Sequence, residues 1–381
     1  MRILSQSERK LADYELSCRK KKLKFGIHNN DNHFNTRIDL FCEIESLFVD
    51  RSYFGANISD ESFIKGICKL NKLRKLEYRE KEAKPDVIVA IGENLSNLSH
   101  ITLGGPFGED VNDDHLCFLF SKLCNLESIR LLIPELTGKC FTNIGPKVTE
   151  IEWDIDYGTN IYESLTFGGN GVNFKSFTFV SEFLDQKSKT TVMRVINNEM
   201  PNIRRLSLEM NNFDFRLLRL QKIEELFLRL FAVENAHSYQ SMKTVKKLTL
   251  CLFDREIGEE KAIAVISNFP NLQVLELRIE DSDIILTNQF IVELKSLYRL
   301  KELTLCHTCE KTEKRNTEFL LSTVSALKSV NKITIQLPYL FDKSECDLIS
   351  SNLETTAIHN QNMLILFECN VRNHKDEDKL K

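Results

Sequence analysis

The chain has 381 residues, a formal net charge of −4, 42% hydrophobic residues and 28% charged residues. This composition is typical of a folded protein, and the near-balanced charge argues against a nucleic-acid partner. Eleven cysteines without a regular framework spacing indicate free thiols in a reducing compartment.

Residues 1–36 are polar and precede the first repeated unit. We interpret them as a polar cap, which the ends of repeat arrays need, or as the remnant of an upstream helical module. The basic run Arg19–Lys24 is interpreted as an exposed helix face, with a localisation or phosphate-binding patch as the alternative. The segment Met1–Glu8 lacks the apolar core of a signal peptide, and no stretch approaches the ~18 apolar residues of a membrane span. We therefore expect a cytoplasmic or nuclear protein without membrane contact.

An apolar pattern with spacings of three, three and two residues recurs between residues 37 and 370, for example at Leu297, Leu300, Leu303 and Leu305. Each copy ends in an L-x-L step, which predicts a strand with two inward-facing residues. The steps begin at Leu47, Leu76, Ile101, Ile129, Ile151, Phe177, Leu206, Leu226, Leu248, Leu275, Leu303 and Ile333. Neighbouring steps are separated by 20 residues (206 to 226) up to 30 residues (303 to 333). One such unit cannot bury its apolar face alone, so the pattern predicts stacked, parallel strands.

Segments with helical periodicity lie between several of these strands, and the short repeats are predicted to carry a turn or coil instead. The poorest match to the pattern is 154–173, which contains four glycines and is predicted to loop out. The predicted helices are Asp60–Cys68, Asp113–Ser121, Glu259–Ser267 and Thr317–Leu327, the last with Asn316 as its N-cap.

The repeats resemble the leucine-rich-repeat superfamily over about residues 37–370, and most of all the degenerate repeats of F-box-associated leucine-rich-repeat proteins. The resemblance implies an α/β solenoid, a horseshoe of about twelve irregular repeats with a parallel concave sheet and convex helices. Asn211 matches the Asn or Cys that the family places after the strand, but Phe231, Phe253, Glu280 and Thr308 stand at equivalent positions, which predicts local irregularity. An F-box is not visible in residues 1–36, and 371–381 is interpreted as a charged, disordered tail.

The sequence carries no recognisable catalytic, cofactor-binding or metal-binding motif. The single C-x-x-C pair, Cys306 and Cys309, lacks the second pair that zinc usually requires and is interpreted as two ordinary thiols at a strand exit. His100 is expected to face the concave surface, where a general-base role is a remote alternative. We therefore predict no enzymatic activity, no catalytic residues, no metal and no cofactor.

The candidate binding surface consists of strand residues that alternate with the inward L-x-L positions in the C-terminal half. Arg205, Glu225 and Lys247 are expected to form a lateral row of alternating sign, as are Glu209 and Arg229. Either these charges only neutralise each other, or the apolar side chains of the face anchor a protein partner among the arginines. The surface comprises Arg205, Glu225, Phe227, Arg229, Lys247, Val274, Glu276, Arg278 and Glu302.

The resemblance implies a protein–protein interaction scaffold. Its most specific form is the substrate-recognition subunit of a cullin–RING (F-box type) ubiquitin ligase. The alternative is an intracellular leucine-rich-repeat binding or inhibitor protein unrelated to ubiquitination. The expected partners are a protein on the concave face and, in the ligase form, a cullin adaptor, with the chain a monomer within the complex.

Overall fold

In a computed structural model the chain divides into two compact units, Met1–Ile203 and Arg204–Lys381. Several predicted features fall outside the described residues: Asn211, Phe231, Phe253, Thr308, Cys309, most of the helix 317–327, and the tail after Val371. The structure describes residues 22–371 except 53, 82–83, 106–110, 156–158, 182–183, 211–212, 215–217, 220–221, 231–232, 235–240, 253–257, 281–286, 308–318, 320–325, 328–329, 342–346, 348–349, 352–353 and 355–363.

The described part of the first unit contains seven parallel strands that pair in chain order. The register aligns the L-x-L steps, because Leu47 pairs with Leu76 and each later step pairs with the next as far as Phe177. The strands are β1 (Lys22–Phe25), β2 (Ser46–Arg51), β3 (Lys75–Glu80), β4 (His100–Gly104), β5 (Ser128–Leu132), β6 (Glu150–Asp154) and β7 (Ser176–Ser181).

The second unit repeats this arrangement with seven further parallel strands among its described residues. Leu206 pairs with Leu226, and the alignment of L-x-L steps continues as far as Ile333. These strands are β8 (Arg205–Met210), β10 (Glu225–Leu230), β12 (Lys247–Leu252), β13 (Val274–Ile279), β14 (Glu302–His307), β15 (Lys332–Phe341) and β16 (Leu364–Val371), while β9 (Phe213–Asp214) pairs with β11 (Val233–Glu234) separately.

Helices follow many of the strands, and polar residues begin them. The side chains of Asn30, Ser59, Asn112, Asp185 and Thr287 accept backbone N–H bonds in the first turns of five helices. The predicted helices that start at residues 60, 113 and 259 are confirmed. The helices are α1 (Asp31–Leu40), α2 (Asp60–Ile67), α3 (Pro85–Asn94), α4 (Asp113–Lys122), α5 (Gln186–Glu199), α6 (Glu259–Ile266) and α7 (Asn288–Ser296), with 3₁₀ turns at Lys139–Asn143 and Asn170–Asn173.

The inward residues of the strands form the core together with the apolar faces of the helices, and both inward residues of all twelve predicted L-x-L steps are buried. The two leucines of a step lie on the same side of a strand, so each parallel pairing extends one continuous apolar layer. This register and the helices that connect the strands define an α/β solenoid of the leucine-rich-repeat type, as predicted.

The prediction that residues 154–173 loop out is wrong for the part that is described. Ile161, Leu165 and Phe167 are buried, and the Phe167 ring lies 5.3 Å from that of Phe141. Phe167 packs against Phe174 and Phe177 in the core of this repeat, and it was not detected because it lies outside the L-x-L pattern. A glycine is required at Gly138, because its φ is +88° and a Cβ there would lie 2.7 Å from the ring of Trp153.

The interpretation of the basic run as a helix face is wrong for Lys22 and Lys24, which belong to strand β1. This strand pairs with Ser46–Val49, and its Leu23 and Phe25 are buried like the L-x-L residues of β2–β7. The sheet of the first unit therefore starts upstream of residue 37. The spacing pattern missed β1 because Lys20, rather than an apolar residue, stands three positions before Leu23.

Candidate functional site

The strand residues that alternate with the buried L-x-L positions form a polar face in each unit. We call the face of β1–β7 the first sheet face, and that of β8, β10 and β12–β16 the second sheet face. In both, equivalent residues of neighbouring strands lie about 4.8 Å apart in lateral rows. These faces are the open surfaces of the parallel strands, and each is described within its own unit.

All nine residues of the predicted surface lie on the second sheet face, in three rows. Arg205, Glu225, Lys247, Val274 and Glu302 are paired strand to strand and form the first row. Phe227 and Glu276 belong to the second row, and Arg229 and Arg278 to the third. Arg205, Glu225, Lys247 and Glu302 are exposed, and the other five are half-buried.

Arg229 is held between two carboxylates. Its guanidinium lies 3.4 Å from Glu209 on the neighbouring strand and 3.3 Å from Glu280, which follows β13. The side chain thus reaches across β12, where the equivalent residue is the small, buried Cys251. The predicted pairing of Glu209 with Arg229 is confirmed, and the contact with Glu280 adds a second anchor that fixes the arginine.

Charge pairing on the second sheet face is uneven. Arg278 lies 2.6 Å from Glu276 on its own strand, and Lys332 lies 4.0 Å from Glu302. Glu225 and Lys247 are neighbours by register, but within the described residues no ion pair joins them. Mutual neutralisation therefore accounts for the Arg229, Arg278 and Lys332 pairs but not for the register neighbours Glu225 and Lys247.

The two described thiols of this face are poor nucleophiles. Burial raises the pKa of Cys251 to about 12, and burial also raises the pKa of Cys306. Both therefore stay protonated at neutral pH, which supports the interpretation of Cys306 as an ordinary thiol. In the portion of the chain that the structure describes, no group of three or more His, Cys, Asp or Glu residues is placed to hold a metal ion.

The first sheet face carries a candidate surface that the sequence analysis did not single out. The Phe48 ring is half-buried between two cations, with Lys24 Nζ 5.6 Å and Arg79 Cζ 5.8 Å from its centroid. A groove of roughly 440 Å³ extends from here across the strands and includes Lys75 and His100 among its lining residues. Phe48 lies between the inward residues Leu47 and Val49 of β2, so the alternation of strand residues would have predicted that it faces outward.

His100 faces this groove, as predicted. Its Nδ1 lies 2.8 Å from the Ser99 hydroxyl. Burial, and next the positive charge of Lys75, lower the pKa of His100 below its ordinary value. The imidazole is therefore neutral at pH 7 and adds no positive charge to the face.

No helix of the described residues is both long and apolar enough to cross a membrane. No protein-family model matches the chain, and no curated protein is significantly similar to it. The leucine-rich repeat-containing protein LegL7 from Legionella pneumophila has a solved structure that is similar over 88% of this chain and 98% of LegL7, with 14% identity and a TM-score of 0.44. A chain of the TLR13–ssRNA13 complex is similar over 88% of this chain but only 41% of its own length, with 16% identity and a TM-score of 0.42. The fold assignment rests on the strand register described above.

Proposed function

We propose that the protein is a protein-binding scaffold and that the second sheet face holds its partner. The observation that carries the proposal is that a half-buried aromatic ring, Phe227, shares one face of β10 with Arg229, an arginine that Glu209 and Glu280 already fix in place. Arginine and aromatic residues dominate binding energy at protein interfaces. A side chain that is ordered before binding loses little further entropy when a partner docks.

The form and charge of this face support a protein as the partner. Seven strands at about 4.8 Å spacing give a surface roughly 29 Å wide, which suits an extended contact better than a small molecule. Positive and negative side chains alternate along the first row, where Arg205, Glu225 and Lys247 are exposed. Such a mixed pattern complements another folded protein and disfavours a polyanion.

The test is affinity capture with the full chain and the variant Phe227→Ala/Arg229→Ala, read by quantitative mass spectrometry. We expect the variant to lose at least one partner by roughly thirtyfold, since a hot-spot pair contributes about 2 kcal/mol or more. The matched control is Val292→Ala/Arg299→Ala, which removes one apolar side chain and one arginine from exposed positions in α7 and just after it. Unchanged capture by a Phe227→Ala/Arg229→Ala variant that melts like the wild type would eliminate this face.

The narrower form of the proposal is substrate recognition for a cullin–RING ubiquitin ligase, which rests on the resemblance to F-box-associated leucine-rich-repeat proteins. In that form a cullin adaptor co-purifies with the wild type and with the Phe227→Ala/Arg229→Ala variant, because it binds outside the second sheet face. Capture of a partner without any adaptor favours the alternative, a binding or inhibitor protein unrelated to ubiquitination.

A further inference from the structure

We propose that β1–β3 of the first sheet face form a second docking site, and that its occupant is a short acidic segment of a protein partner. The site goes beyond the surface proposed above, because it lies in the other unit and uses different residues. Its centre is Phe48, whose ring is flanked by Lys24 of β1 and Arg79 of β3. The two cations cover the ring from neighbouring strands, so an apolar contact and positive charge occur at one point.

Three lysines around Phe48 carry uncompensated charge. Lys22, Lys24 and Lys75 are exposed, and no carboxylate of the described residues lies within 4.0 Å of their ammonium groups. Arg79 is paired with Glu77 at 2.8 Å. Several other lysines of the first unit do have carboxylate partners, namely Lys69 with Asp39, Lys72 with Glu43, Lys139 with Asp114 and Lys187 with Glu163. What distinguishes β1–β3 is that Lys22, Lys24 and Lys75 cluster on adjoining strands, where an acidic ligand would neutralise them together.

The extent of the charge selects a short peptide over a nucleic acid. Lys22 and Lys75 are separated by one intervening strand, hence by about 10 Å, and an extended chain covers that distance with about three residues. Further across the groove, Arg130 of β5 is already paired with Glu152 of β6 at 2.8 Å. A phosphate backbone that continued along the rows would meet this neutralised pair, whereas a peptide with a few consecutive acidic residues needs only the three lysines.

Between the charged positions the groove offers hydroxyl groups. Ser46 lies between Lys22 and Lys75 in the first row, and Thr102 and Ser128 line the groove beside His100. Hydroxyls donate and accept hydrogen bonds, so they can pair with the backbone of an extended peptide while the lysines bind its carboxylates. An aliphatic or aromatic residue next to the acidic run would cover the Phe48 ring.

The experiment uses the full chain and a fluorescein-labelled peptide that has three consecutive glutamates flanked by leucines, with binding measured by fluorescence anisotropy at low salt. We expect Lys24→Glu/Lys75→Glu to weaken binding roughly tenfold or more, because each change removes an attraction and adds a repulsion. The control, Lys65→Glu/Lys122→Glu, makes the same change in net charge on α2 and α4 and should leave affinity within about twofold. Phe48→Ala keeps every charge and should still weaken binding.

Several results would overturn the proposal. These are the absence of peptide binding by the wild type, equal weakening by the Lys65/Lys122 control, and equal affinity for a peptide with glutamines in place of the glutamates. Tighter binding of a single-stranded RNA of matched charge, sensitive to the same lysines, would assign the site to nucleic acid instead. Peptide binding by Phe227→Ala/Arg229→Ala should be unchanged, so failure here and failure of the proposed function are separate outcomes.

Discussion

The guanidinium of Arg51 joins the ends of β2 and β3 to the start of α2. It lies 3.0 Å from Glu80 and 2.7 Å from Asp60, and it donates a hydrogen bond of 2.9 Å to the Tyr78 hydroxyl. Tyr78 in turn donates to Glu80 at 2.7 Å. Tyrosine therefore replaces leucine at the second inward position of this repeat because its hydroxyl completes a buried polar cluster.

The protonation states in this cluster follow from its surroundings. Burial acts to raise the pKa of Asp60, but the hydrogen bond and charge of Arg51, with Lys84, outweigh it and keep that pKa below its ordinary value. Burial raises the pKa of Tyr78, and the Glu80 carboxylate adds to that effect. The Tyr78 phenol thus stays protonated and can donate, while the Asp60 carboxylate stays charged and can pair with Arg51.

We predict that Arg51→Met lowers the free energy of unfolding by about 3–5 kcal/mol, because it leaves the Glu80 carboxylate buried without its cation. The Arg51 and Glu80 side chains are only 12% and 7% exposed. Urea unfolding followed by circular dichroism measures the loss. Arg51→Met/Glu80→Met should be more stable than Arg51→Met, since the second change removes the uncompensated charge. A single variant as stable as the wild type would contradict a structural role for the cluster.

At the scale of the repeat element, asparagine side chains link each repeat to the one before it. Five of them stand four positions before the first inward strand residue, and each donates its side-chain amide to a backbone carbonyl of the preceding repeat. A carbonyl that no strand or helix partner satisfies is thereby paired. The bonds are Asn97 to Asn71 (2.8 Å), Asn125 to Ser96 (3.1 Å), Asn173 to Pro146 (3.0 Å), Asn202 to Val172 (2.9 Å) and Asn271 to Lys243 (2.8 Å).

We predict that Asn125→Ala lowers the free energy of unfolding by about 1 kcal/mol, the usual net contribution of one hydrogen bond. Asn125 also accepts from Lys147 Nζ at 2.7 Å, so the substitution removes a second inter-repeat contact. Asn160→Ala is the control, since Asn160 is exposed and lies outside this series, and it should change stability by less than about 0.5 kcal/mol. Equal effects of the two changes in urea titrations would show that the inter-repeat bond does not stabilise the array.

Most strands could be predicted from sequence because two signals coincide in them. In β8, for example, Leu206 and Leu208 show the alternation of a strand. Ile203, three positions earlier, shows where the strand begins. Strand β16 was missed for the same reason as β1, because Asn362 stands where the apolar approach residue would be. The asparagine series was missed because the search looked for Asn after each strand, whereas these residues precede it.

In the candidate site, sequence could predict only the contacts between residues that strand register places side by side. Register placed Glu209 beside Arg229, and that pairing is observed at 3.4 Å. The contact of Arg229 with Glu280 joins residues two strands apart and depends on the small Cys251 between them, together with the path of the chain after β13. Predicting that two cations flank Phe48 would likewise have required recognising Lys24 as a strand residue.

At the scale of the whole molecule, the inner strands of each unit are paired with a neighbour on both sides. In the first unit β4 pairs with both β3 and β5, whereas β1 pairs with β2 alone among the described strands. Stability in such arrays is approximately a sum of nearest-neighbour terms. A strand with one neighbour therefore opens at lower cost than one with two, and local opening should be graded along the unit.

Hydrogen exchange followed by mass spectrometry tests this gradient. We predict that amides of β1 exchange at least about tenfold faster than those of β4, since opening β1 breaks a single strand pairing. Leu23→Ala should accelerate exchange in β1 and leave β4 unchanged, whereas Ile101→Ala removes core from a strand with two neighbours and should accelerate β3, β4 and β5 together. Equal protection of β1 and β4, with both substitutions acting uniformly on all strands of the unit, would mean that the unit opens as one cooperative block and that nearest-neighbour pairing does not govern its stability.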